Sequence, residues 1–208
     1  MAQFFKMELL IPLHGIIQFT SNILRAFTLR KNINWKIGKE AIIGALIGAS
    51  VSFFYLQPLP ENLFNLIIGS FIIFITCVPK FRANFYFRGK WLSLGFLSCS
   101  LGLFIGAIGT LIGSVLLSEK LEKKEMISTQ AALQSVIHFL KVIVFFILGF
   151  SLAPWLLLII GAMLFVYLGT MAGTKILDKI PQKTFRIIAT TIVLILAVRL
   201  IAVGIAGW

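Results

Sequence analysis

The chain has 208 residues, of which 59% are hydrophobic and only 12% are charged, and its mean hydropathy is +1.02. These values lie far from the average of soluble domains and indicate a polytopic membrane protein. The formal net charge is +12, but the basic residues stand in short clusters between apolar runs, as in cytoplasmic loops, and do not follow one exposed face. We therefore expect a lipid bilayer as partner and no nucleic acid.

Apolar segments of roughly spanning length, about 20 residues, follow one another along the chain and predict an all-α integral membrane protein. The whole chain, residues 1–208, is expected to be a single membrane domain. His14 and Gln18 interrupt the apolar core that a cleaved signal peptide would need, so the first segment is predicted to remain as an anchor. The seven segments, A to G, are residues 8–28, 37–57, 62–78, 91–118, 127–149, 154–174 and 185–206.

Basic residues in the loops predict which side of the membrane each loop occupies. The A/B, C/D and F/G loops are basic and are expected in the cytoplasm, whereas the B/C and E/F loops lack basic residues. The basic positions are Arg30, Lys31 and Lys36; Lys80, Arg82, Arg88 and Lys90; and Lys175, Lys179 and Lys183.

Segment D must cross the membrane an even number of times, because a single crossing would place the C/D and F/G loops on opposite sides. Its many glycines, including Gly95, Gly102, Gly106 and Gly113, favour a re-entrant or broken helical hairpin at residues 91–118. Irregular backbone at membrane depth is tolerated only where protein or a watery cavity covers it.

Segments A and E carry the same row of polar side chains, spaced i, i+4, i+8, i+11, on one face of a helix. Polar and basic groups at membrane depth are expensive and usually face a bundle interior or a solute pathway. The duplicated row therefore predicts a transport site built from two repeats. The two rows are His14, Gln18, Asn22 and Arg25 in A, and Gln130, Gln134, His138 and Lys141 in E.

The predicted topology runs A outside-to-inside and E inside-to-outside, so the repeats are expected to be inverted, as in many secondary transporters. Repeat 1 covers residues 8–79 and repeat 2 covers 91–206. Chance similarity between apolar helices is the alternative. Small residues in B and F are expected to let helices approach closely; they are Gly44, Gly48 and Ser52 in B, and Gly161, Gly169 and Gly173 in F.

An anion site could be built from the two rows together with Ser21. Arg25 and Lys141 would supply positive charge, and the amide and hydroxyl side chains would supply neutral hydrogen bonds. No Asp or Glu lies in the middle of a predicted span, which argues against a cation carrier. Structural interpretations remain open, because Arg25 could extend to the lipid phosphates and the amides could hydrogen-bond between helices.

Catalysis is not expected, because the segments hold no nucleophile close to a base and no carboxylate pair. Cys77 and Cys99 both lie in apolar runs, where a free thiol behaves as a small hydrophobe. The sequence therefore predicts no cofactor and no metal site.

Two runs of the sequence carry a resemblance to a known family. LHGIIQFTSNILRAFTLRKNINWKIGKEAIIGALIGASVSF resembles the helix, basic loop and glycine-rich helix of TauE/SafE-type sulfite exporters. GLFIGAIGTLIGSVLLSEK, followed by TQAALQSVIHFLKVIVFF, resembles the second half of that family. The resemblance covers nearly the whole chain. It implies a plasma (inner) membrane carrier of two related halves that exports sulfite or small organosulfonates.

Members of the family usually begin with a glycine-rich hairpin similar to segment D, whereas this chain starts directly at segment A. Repeat 1 is therefore expected to lack its first hairpin. The alternative function is that of a non-transporting accessory protein or decayed paralogue, and a carrier for another solute is a further alternative. A homo-oligomer is left open.

Overall fold

The computed structural model describes residues 7–55, 60–77, 88–102, 108–147 and 149–206. These residues form eight α-helices and two short 3-10 helices, Arg30–Asn32 and Ala153–Trp155, and they contain no strand. The predicted all-α fold class is confirmed. The α-helices are α1 Met7–Thr28, α2 Trp35–Tyr55, α3 Glu61–Cys77, α4 Lys90–Gly102, α5 Ile108–Ser118, α6 Lys123–Ile147, α7 Leu156–Lys179 and α8 Gln182–Ala206.

Four stretches of the described residues are long and apolar enough to cross a membrane: Trp35–Phe54, Lys123–Ile147, Ala153–Lys179 and Gln182–Ala206. Two shorter apolar helices, Asn65–Cys77 and Ile108–Ser118, accompany them. The chain is thus a multi-pass membrane protein, while the count of seven segments stays a prediction.

Segment D forms two short helices, as the broken hairpin requires. At 1.5 Å per residue, the 13 residues of α4 and the 11 of α5 extend only about 20 and 16 Å, less than a hydrocarbon core of about 30 Å. Lys90, the first residue of α4, forms a salt bridge with Glu119, which directly follows α5. The hairpin therefore begins and ends on the same side. Residues 103–107, which join its two helices, lie outside the described residues.

The A/B and F/G loops, both predicted to be cytoplasmic, contact the D/E loop and the start of α6. The backbone amide of Asn34, in the A/B loop, donates a 2.9 Å hydrogen bond to Thr129 Oγ1 near the start of α6. The amide of Lys123 donates to Gln182 Oε1 at 2.9 Å, and Lys124 pairs with Asp178 at 2.6 Å. These contacts join the A/B, D/E and F/G loops. Most of the C/D loop, including Lys80 and Arg82, lies outside the described residues.

Two antiparallel helix pairs organise the fold, and the first of them carries both polar rows. In the pair of α1 and α6, Ala26 lies against Ala131 near one end, and His14 lies against His138 farther along. In the pair of α3 and α8, a side chain at Gly69 would meet Ile201, and one at Gly204 would meet Leu66 and Asn62. The main apolar core lies between α2, α3, α4, α5, α6 and α8.

The small residues of α2 allow the close helix approach that the sequence predicts. A Cβ at Gly44 would overlap the carbonyl of Leu92, and one at Gly48 would be 2.5 Å from the Phe96 oxygen. Gly95 of α4 meets Ala41 of α2 equally closely. The close contact between α2 and α4 therefore requires glycine on both helices.

The same prediction is wrong for α7. No described atom lies within 4 Å of the Cβ that would be added at Gly161, Gly169 or Gly173. The helix equivalent to α2 in the second proposed repeat has no partner against its glycines among the described residues.

Candidate functional site

Antiparallel packing of α1 and α6 brings the inner parts of the two polar rows together. The rings of His14 and His138 lie 5.9 Å apart, centroid to centroid, in an edge-to-face arrangement. Gln18 Nε2 lies 3.4 Å from His14 Nε2. A Cβ at Gly15 would be 3.3 Å from Cδ of Lys141. We call His14, Gln18, His138 and Lys141 the deep cluster.

Lys141 is the most unusual member of the deep cluster, because its side chain is only 1% exposed. It lies within electrostatic range of His14, His138 and Cys99. The two ion pairs found among the described residues are Lys90–Glu119 and Lys124–Asp178, so no described carboxylate neutralises Lys141. A buried ammonium group is costly unless an opposite charge accompanies it.

His138 adds unused hydrogen-bonding capacity to the deep cluster. Its Nδ1 atom is buried and has no hydrogen-bond partner among the described residues. Buried polar atoms are normally hydrogen-bonded. Two imidazoles, an amide and an ammonium group therefore lie together in a cluster that is buried at His138 and Lys141 and half-buried at His14 and Gln18.

A second group of row residues lines a cavity of about 500 Å³ between α1, α6, α7 and the start of α8. We call it the side cavity. Its polar lining includes Ser21, Arg25 and Gln130 from the predicted set, and Thr170 and Thr174 from α7. Arg25 Nη2 donates to Ser21 Oγ at 3.4 Å.

Two predicted site residues, Asn22 and Gln134, lie in neither place. Asn22 is buried and donates through Nδ2 to the carbonyl of Gln18, one turn earlier, at 2.8 Å. Gln134 lies against α5, where its Nε2 would be 2.9 Å from a Cβ at Gly109. Gln130 also donates to the carbonyl of Gly109, at 3.0 Å. Their surroundings agree with the structural interpretation of these amides as helix contacts, and a role in binding stays a prediction.

The deep cluster and the side cavity lie one behind the other along α1. Gly15 touches Lys141, and Arg25 lines the side cavity ten residues later, which corresponds to about 15 Å along a helix. Gln18 and Ser21 occupy the turns between them. Lys141 and Arg25 are thus two separate basic positions, the first buried and the second beside the A/B loop.

Thr170, Thr174 and Cys99 are neighbours of these positions that were not predicted. The two threonines are spaced i, i+4 and follow Gly169 and Gly173 directly, so a polar face of segment F was visible in the sequence. Cys99 gave no comparable signal. The described residues contain no group of three or more His, Cys, Asp or Glu side chains that could hold a metal ion.

Comparison with known protein families gives a match over most of the chain. A family model described as Sulfite exporter TauE/SafE matches residues 1–200 of the chain. No curated protein and no solved structure matches the chain. The matched range contains the deep cluster, the side cavity and the broken hairpin.

Proposed function

The chain belongs to the TauE/SafE sulfite exporter family, and we propose that it is a secondary carrier that exports sulfite or a small organosulfonate across the plasma (inner) membrane. Membership of a transporter family and several helices of spanning length support this proposal. The protein would act as a carrier and not as an enzyme, with a small anionic solute and the bilayer as its partners.

The observation that carries the proposal is the burial of Lys141 without a described carboxylate partner. An oxyanion entering the deep cluster would neutralise this charge and accept hydrogen bonds from Gln18 and the histidines. Charge-assisted hydrogen bonds of this kind are about twice as strong as neutral ones. The site would therefore favour an anion over a neutral solute of similar size.

Transport would use two inverted repeats, residues 8–79 and 91–206. The antiparallel pairing of α1 with α6 and of α3 with α8 supports this organisation, because inverted repeats place equivalent helices in opposite directions. In such carriers, one repeat rocks against the other around a fixed site near the middle of the membrane. The deep cluster lies at the contact between the two proposed repeats.

Arg25 would give the anion its first position on the cytoplasmic side. It lies in the last turn of α1, close to the A/B loop, and faces the side cavity. An anion leaving the cytoplasm would meet Arg25 first and Lys141 about 15 Å farther along α1. The polar row of α1 would replace water along this path.

Sulfite flux through proteoliposomes containing the purified chain tests the proposal. Arg25→Gln and Lys141→Gln should each lower the flux about tenfold or more, because each removes a charge-assisted contact of about 1.5–3 kcal/mol. Lys124→Gln is the matched control, since it removes an exposed lysine that pairs with Asp178 at the surface. Unchanged flux in both variants would reject the site. Absence of flux from folded wild-type protein would favour an accessory role.

A further inference from the structure

The side cavity is much larger than sulfite requires. Its volume is about 500 Å³, whereas sulfite has only four atoms, and a water molecule occupies about 30 Å³ in the liquid. Cavities of about 300–1,000 Å³ typically enclose organic ligands of considerable size. A sulfite ion would therefore leave most of this cavity unfilled.

The lining of the cavity has a polar part, with the charge of Arg25 and the side chains of Ser21, Gln130, Thr170 and Thr174, and an apolar remainder. Arg25 has five N–H donors, and the hydrogen bond that it forms with a described residue is the long contact to Ser21. Neither ion pair of the described residues involves Arg25. The remainder is formed mainly by aliphatic and aromatic side chains of α7 and α8, including Val166, Leu177, Phe185 and Ile188.

The glycines of α7 account for the space on the apolar side. Gly169 and Gly173 both line the cavity, and no described atom lies within 4 Å of a Cβ at either position. A side chain at either glycine would enter this space without meeting backbone. The cavity thus combines a guanidinium group at one wall with a long, uncharged surface beside it.

We propose that the side cavity binds amphiphilic anions, with a sulfonate head group on Arg25 and an alkyl chain of several carbons along α7 and α8. This inference rests on the proposed function and deepens it, because it names the class of substrate. A planar guanidinium group suits the oxygens of a sulfonate, and an alkyl chain would exchange water for the apolar wall. Sulfite itself would use the head-group position alone.

Competition for sulfite flux by a series of alkanesulfonates, from methanesulfonate to octanesulfonate, tests the proposal. Inhibition should strengthen about fourfold for each added methylene until the cavity is filled, the change that about 0.8 kcal/mol per buried CH₂ produces. Alkyltrimethylammonium ions of the same lengths are the control for partition into lipid, and they should not compete.

The variant Gly169→Leu tests the contribution of the apolar wall independently of the charged end at Arg25. Its side chain should weaken inhibition by octanesulfonate about tenfold or more, since it would displace two or more buried methylenes, and leave inhibition by methanesulfonate unchanged. Gly161→Leu is the matched control, because Gly161 is equally open but does not line the cavity. Gly173→Leu should repeat the result if Gly169→Leu folds poorly.

Two results would overturn the inference while leaving the proposed function intact. One is sulfite flux that depends on Arg25 but is inhibited equally by short and long alkanesulfonates. The other is inhibition of sulfite flux by added vesicles of phosphatidylglycerol, without any alkanesulfonate. That result would assign the cavity to a lipid head group. If no sulfite flux is found, thermal stabilisation of the purified chain by octanesulfonate still decides: stabilisation lost in Gly169→Leu supports the cavity assignment, and no stabilisation rejects it.

Discussion

Helices α2 and α7 occupy equivalent places in the two proposed repeats, yet their glycines have different surroundings. Gly44 and Gly48 of α2 lie against the backbone of α4, at distances that leave no space for a side chain. Gly169 and Gly173 of α7 face open space and line the side cavity. The same residue type therefore serves close packing in one half and cavity formation in the other.

The difference shows that a glycine-rich helix face does not determine its own partner. The face of α2 is covered because the re-entrant hairpin supplies α4, whereas no described helix covers the glycines of α7. In the proposed carrier, α2 would belong to the rigid part of the structure and α7 would border the pathway. The following predictions test this distinction.

Substitution of the glycines should show the largest difference. Gly44→Leu should destabilise the protein by about 3 kcal/mol or more, because its side chain would collide with the backbone at Leu92 and Phe96, and overpacking typically costs about 1–3 kcal/mol. Gly169→Leu should leave stability nearly unchanged. Thermal unfolding of the purified variants in detergent measures both. Equal destabilisation would contradict the open surroundings of α7.

The second-largest difference should be in how readily water reaches the two helices. In a background of Cys77→Ser and Cys99→Ala, Thr174→Cys should react rapidly with a membrane-impermeant maleimide applied from the cytoplasmic side, because Thr174 lines the side cavity. Ala49→Cys, on the covered face of α2, should react slowly, since Ala49 is buried. Similar rates at both positions would show that the cavity does not admit water.

Loosening the hairpin should have the smallest effect. It should change the labelling rate on α2 and leave the rate on α7 unchanged. Lys90→Gln breaks the salt bridge with Glu119 that joins the two ends of the hairpin, at a cost of about 1–3 kcal/mol if Glu119 loses its partner. We expect faster labelling of Ala49→Cys and unchanged labelling of Thr174→Cys. The double variant Lys90→Gln/Glu119→Gln should recover part of the stability, and no recovery would show that the pair is not coupled.

Sequence alone predicted the features that follow from charge and periodicity. The distribution of basic loops required segment D to return to its own side, and the Lys90–Glu119 pair confirms that it does. The helical spacing of the polar rows placed His14 and Lys141 on faces that meet. Both arguments need only the period of a helix and the cost of charge in a membrane.

Features that depend on which helices become neighbours were not predictable in this way. Asn22 and Gln134 share the row spacing with His14 and His138, but their side chains are occupied by a carbonyl one turn away and by the surface of α5. The side cavity arises because nothing described covers Gly169 and Gly173. Local sequence cannot distinguish a glycine that contacts a helix from one that borders a cavity.

Equilibrium binding of radiolabelled sulfite to the purified chain tests the central claim, that Lys141 holds the transported anion, most directly. The wild-type protein and Lys124→Gln should bind sulfite saturably and with equal affinity. Lys141→Gln should weaken binding about tenfold or more, because it removes the buried charge that an anion would neutralise. Equal affinity in folded Lys141→Gln would contradict the account and place the anion elsewhere.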